Sequence, residues 1–119
     1  MSVDSAIEVL DEDDEVMESY VLLREIKAYL DVGHGTFNPR IKIKIYKSSV
    51  IPRATYHFEV SHHVHTPEQA GPYHPSRTSC ESEREAIRQA ISTTTSFIKS
   101  ALRVGHEPSE SWLVSNDEF

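Results

Sequence analysis

One apolar stripe limits the fold more than any other feature. Ala86, Ile87, Ala90, Ile91, Thr94, Phe97, Ile98, Ala101 and Leu102 recur at steps of three and four between Glu83 and Arg103. A helix over that span has a wide face that another part of the chain must cover. Ser82 precedes it with Glu85 three residues on, the reciprocal capping box that starts a helix. Lys99 and Arg103 lie in the last turns, where cations suit the helix dipole, and Gly105 is placed to end it. The threonines at 93, 94 and 95 have restricted rotamers that disfavour a helix, so packing has to compensate there.

The cover comes from two alternating runs. Ile41, Ile43 and Ile45 alternate with Lys42, Lys44 and Tyr46, the mark of a half-buried strand. A turn region containing Pro52 leads to a second run, Ala54 to His65, in which Tyr56, Phe58, Val60, His62 and Val64 share one face. His57, Glu59, Ser61, His63 and His65 share the other. The two runs are close enough to pair as an antiparallel hairpin. Residues 66–76 hold three prolines and a glycine and cannot be an interior strand. A short third strand is expected within Tyr73 to Cys80.

Upstream, Val16, Tyr20, Leu23, Ile26 and Leu30 also recur at three- and four-residue steps, which predicts an amphipathic helix over 16–30. Gly33 is its expected stop, and residues 33–39 read as a loop. Together these elements predict a two-layer α+β domain over residues 16–105. Its antiparallel sheet has three to four strands with two helices on one face, in the order α-β-β-(β)-α. Residues 1–15 are expected to form an acidic, flexible leader, and 106–119 an acidic tail docked through Trp112. The whole chain is 119 residues, about one domain's worth, which excludes a multidomain enzyme.

The net charge of −7 is segregated. Residues 1–31 hold ten acidic and two basic side chains, 32–104 five acidic and ten basic, and 105–119 four acidic and none basic. A cationic middle lies between anionic ends, which could screen it. No apolar stretch approaches the ~18 residues of a membrane span, and no leader peptide is recognised. Cys80 is the only cysteine, so an internal disulfide and a cysteine-based zinc site are excluded. A soluble cytoplasmic protein is expected. Cys80 also lies just before the predicted helix start, where the dipole would lower a thiol pKa.

Four of the seven histidines, His57, His62, His63 and His65, fall within nine residues. His63 and His65 project from the same strand face about 7 Å apart, a workable spacing for two ligands of one metal. His57 and His74 complete the candidate set for a divalent transition metal: His57, His63, His65 and His74. His63, His65 and Glu68 resemble the H-x-H and glutamate grouping of cupin metal sites, although two strong helices do not fit an all-β barrel. The element order resembles that of double-stranded-RNA-binding domains, but Ser82, Glu83, Arg84 and Glu85 stand where those domains carry lysines. The order also resembles small antitoxin-type regulatory domains. None of these motifs is diagnostic, and no family is assigned.

No nucleophile elbow and no H-E-x-x-H helix occurs, so an enzyme has no anchor. A sheet covered on one side leaves the other face to solvent or to a second chain. That face is expected to carry Lys42, Lys44, Tyr46, His57, Glu59, Ser61, His63 and His65. The expected function is a small non-enzymatic interaction or regulatory protein. It would self-associate, as a homodimer, or bind a protein partner through this face, with no cofactor and no membrane. A histidine-dependent metal protein or enzyme is the alternative, and a nucleic-acid-binding module with autoinhibitory acidic ends the second.

Overall fold

In the computed structural model, which describes residues 3–119, the chain runs α1 (Val3–Glu12), β1 (Tyr20–Tyr29), β2 (Arg40–Ser48), β3 (Tyr56–Val60), β4 (His62–Val64), β5 (Ser79–Cys80), α2 (Glu83–Arg103), a 3-10 turn (Glu110–Trp112) and β6 (Leu113–Ser115). The class is α+β. A four-stranded antiparallel sheet in the order β1-β2-β3-β5 is joined by a two-stranded pair, β4-β6. No helix among the described residues is long and apolar enough to cross a membrane.

α2 starts and stops where its local signals place it. Ser82 Oγ accepts the amide of Glu85 at 3.1 Å. The Glu85 carboxylate reaches back to accept the amide of Glu81, one residue beyond the Ser82 amide that a full capping box would use. At the far end Gly105 takes φ +96, which a side chain would strain. The Gly105 amide donates to Leu102 and that of His106 to Ala101, closing the last turn as a Schellman motif. In the threonine run Thr94 alone is buried, and its hydroxyl is satisfied by the carbonyl of Ala90 at 3.3 Å.

The helix expected over 16–30 is instead strand β1, and the helix of this half lies earlier, over residues expected to be a flexible leader. Residues 1 and 2 of that leader lie outside the described residues. The strand conceals its period because Leu23 is an extra residue: register with β2 slips between Leu22 and Arg24. On the helix-facing side, Leu23, Ile26, Ala28 and Leu30 pack into the core. Their two-residue repeat, interrupted once by a bulge, mimics three- and four-residue steps. Pairing decides the matter. Ile26 sits opposite Ile43 and Ala28 opposite Ile41, and β1 covers what would otherwise be the open flank of β2.

The second alternating run is also divided. β3 pairs with β2, setting Phe58 opposite Ile45 and Val60 opposite Ile43, but the chain bends at Ser61, and β4 pairs with β6. Ser61 anchors the bend: its hydroxyl accepts the Lys42 amide at 2.8 Å and its carbonyl accepts the Asn116 amide at 2.9 Å. The expected third strand is present as β5, two residues long.

Two apolar clusters meet along α2. Ala86 and Ala90, with no accessible surface, lie over Ile41, Ile43, Ile45, Phe58, Val60 and Cys80. Ile98 and Ala101 close over Val32, Phe37, Val64 and Trp112. Arg24, the first residue after the bulge, pairs with Glu83 of α2 and ties the sheet edge to the helix start. α1 lies beside the start of β1, where Ile7 and Asp11 line a small cleft with Ser19, Ser48 and Pro52.

Candidate partner-binding face and its clefts

Alternation sends every second side chain of a strand away from α2. On β2 these are Lys42, Lys44 and Tyr46. Directly opposite on β3 lie Glu59, across from Lys44, and His57, across from Tyr46. β1 adds Leu22 opposite Tyr46, Glu25 opposite Lys44 and Lys27 opposite Lys42. The His57 ring stands 6.1 Å from that of Tyr20, nearly edge-on, and 6.4 Å from that of Tyr46. Tyr20 and Leu22 were not foreseen here, because their segment reads as a helix in isolation. Tyr20 is 50% exposed and Leu22 46%, a large apolar content for the open face of an antiparallel sheet, where polar residues are usual.

The C-terminal segment crosses part of this face. Asn116 donates its side-chain amide to the carbonyl of Val60 at 2.9 Å. Lys44 Nζ lies 4.2 Å from the centre of the Phe119 ring and donates to that residue's carbonyl at 3.1 Å. Two clefts result. The larger, about 510 Å³, is lined by His57, Glu59, His63, His74, Thr78, Asp117 and Glu118. The other, about 400 Å³, is lined by Glu25, Arg40, Lys42, Lys44, Ser61, His62 and Phe119. Residues 115–119 carry no periodic signal, so their part in both walls was not legible beforehand.

The four histidines proposed as metal ligands do not converge as a set. His63 and His74 do meet, with ring centres 4.1 Å apart, and Nδ1 of His63 is buried without a hydrogen-bond partner among the described residues. His57 Nδ1 is 3.0 Å from the Thr78 hydroxyl. His65 Nε2 lies 3.1 Å from the carbonyl of Gln69. Among the described residues no group of three or more histidine, cysteine or acidic side chains is arranged to hold a metal ion. Of the eight residues expected on the face, Lys42, Lys44, Tyr46, His57 and Glu59 share it. Ser61 forms the bend, His63 lines the larger cleft together with His57 and Glu59, and His65 lies against the Gln69 carbonyl.

Burial sets the proton affinities. It lowers the pKa of His57, His62 and His63, assisted at His62 by Arg40 and at His63 by His74. Burial raises that of Tyr46, with Glu59 and Glu25 adding to the shift. Cys80 is buried, and its thiol is pushed up rather than down, first by burial and then by Glu85. The helix start therefore does not make it a reactive thiolate.

The three lowered imidazoles fix the sign of a pH dependence. About a unit or more above pH 6.5 they are neutral folded or unfolded and contribute no pH dependence. As pH falls below that value the unfolded chain binds protons that the folded chain resists, so stability falls. The urea midpoint is expected to be lower at about pH 5.5 than at about pH 7.5, with a smaller difference in His57→Gln. A midpoint that rises on acidification would contradict this assignment.

Comparison of the chain with family models, with curated proteins and with solved structures returns no match, so the functional reading rests on this geometry alone.

Proposed function

We propose that this protein is a non-enzymatic interaction module that holds a polypeptide partner on the outer face of its sheet. One observation carries the reading. α2 packs on one face only, while the other presents Tyr20, Leu22, Tyr46 and His57 among Lys42, Lys27 and Glu59, incompletely roofed by residues 115–119. Aromatic anchors ringed by charge are the composition of a protein-binding patch. A buried, unpaired thiol fits a reducing compartment such as the cytoplasm.

The alternatives have weaker support. A divalent metal would find two adjacent imidazoles rather than four. Nucleic acid would need a continuous cationic row, yet Lys44 is engaged by Phe119, and Asp117 and Glu118 stand nearby.

A photocrosslinking side chain placed at Tyr46, in the source cells, is expected to capture a discrete polypeptide. The same group at Arg88, exposed on α2, should not. Equal or absent capture at the two positions would overturn the reading.

A further inference from the structure

The two edges of the main sheet differ. β5 is two residues long, too short to template another strand, whereas β1 is ten residues long and, among the described residues, pairs on one side only, with β2. A long open edge is an invitation to pair, and proteins normally shorten it, charge it or cover it. The charges on β1 do something more selective.

Beyond the bulge, Glu25, Lys27 and Tyr29 point to the outer face, opposite Lys44, Lys42 and Arg40, while Arg24, Ile26 and Ala28 point toward α2, opposite Ile45, Ile43 and Ile41. Two copies of β1 paired antiparallel are related by a two-fold axis normal to the sheet. Side chains that meet across the seam then share a face. Three central registers satisfy this. Centring on Glu25 sets glutamate against glutamate, and centring on Lys27 sets lysine against lysine. Centring on Ile26 sets Glu25 of each copy against Lys27 of the other, Ile26 against Ile26, and Arg24 against the small Ala28, which leaves the Arg24–Glu83 pair undisturbed.

We infer that the protein self-associates through β1 in this Ile26-centred register, forming a continuous eight-stranded sheet with both α2 helices on one side. The β1 sequence is complementary to itself in one alignment and repels itself in the two flanking ones, so the occupant argued for is a second copy of this chain. The exposed rings of Tyr29, 66% accessible, extend the contact on the outer side, and the two partner-binding faces become one surface. This goes beyond the interaction reading above, because the second copy takes the β1 edge and leaves the outer face of the sheet open.

Sedimentation equilibrium of the full chain at about 100 μM is expected to show a dimer. Glu25→Lys and Lys27→Glu should each weaken it by about tenfold or more, since each replaces two attractive pairs by two repulsive ones. An equimolar mixture of the two variants should recover the dimer, because the reversed charges then face each other. Glu25→Lys also adds a like charge beside Lys44. Lys27→Glu relieves one beside Lys42, so its loss of association cannot be ascribed to a weakened fold. A monomeric wild type, a dimer indifferent to both substitutions, or a mixture no stronger than its components would each overturn the proposal. If it fails while capture at Tyr46 persists, the interaction reading stands without self-association, since Tyr46 lies on the outer face and not at the β1 edge.

Discussion

Phe58→Ala is expected to destabilise the protein by about 3–5 kcal/mol, a large share of the ~5–15 kcal/mol that holds a domain folded. Phe58 is 1% exposed in the middle of β3, opposite Ile45, which has no accessible surface. It belongs to the cluster on which Ala86 and Ala90 of α2 rest. Those two alanines let the helix lie close to the sheet, and neither has atoms that could fold into the space a lost ring would leave. The backbone around the ring is held as well, since the Phe58 amide donates to Thr78 at 3.0 Å. The void should therefore persist, and the cost should include the cavity as well as the lost transfer energy. Urea unfolding followed by far-ultraviolet circular dichroism gives the number. A loss below about 1 kcal/mol, nearer the ~0.5 kcal/mol of ordinary surface changes than the cost of a core cavity, would show that α2 does not bear on this ring.

The second large effect is expected at Trp112. The ring is 5% exposed and meets Phe37 nearly edge-on with centroids 6.3 Å apart. It packs with Val32, Val64, Ile98 and Ala101. Its carbonyl accepts the amide of His65 at 2.8 Å, so one residue fastens the C-terminal segment both by packing and by backbone. Trp112→Ala should cost about 3–5 kcal/mol, and Trp112→Phe should recover part of it, because the ring contact survives. A local consequence separates this from general destabilisation. With the anchor gone, residues 113–119 should become cleavable by protease under conditions where α2 remains protected. Retained protection of the segment would mean that Asn116 and Phe119 hold it without the tryptophan.

Both predictions concern side chains whose burial was legible in part from the sequence. The inward alternation of Ile41, Ile43 and Ile45 and of Phe58 and Val60 is a local pattern, and the structure reproduces it. The outward set was legible to the same extent, which is why Lys42, Lys44, Tyr46, His57 and Glu59 share a face. The errors have one origin. The apolar spacing of β1 satisfies a helix as well as a bulged strand, and the choice falls to β2, whose flank needs a partner. At Ser61 the alternation continues unbroken in sequence while the chain changes sheets, because Lys42 and Asn116, 19 residues before and 55 residues after, claim its hydroxyl and carbonyl. In the segment after the bend, His63 meets His74 and His65 lies against the Gln69 carbonyl.

What the amino-acid sequence determined alone was whatever is encoded within a turn or two of the chain: the span and both caps of α2, the alternating faces of β2 and β3, and hence the α+β class. Tertiary structure decided everything that depends on which segment is present to accept a hydrogen bond or cover a surface. This includes β1 as a strand, the bend at Ser61, the His63–His74 contact and the wrapping of the C-terminal residues across the sheet. The physical reason is that a cap or a periodic stripe is satisfied by neighbours in the chain, whereas an open strand edge and a half-covered face are satisfied only by partners brought together through folding.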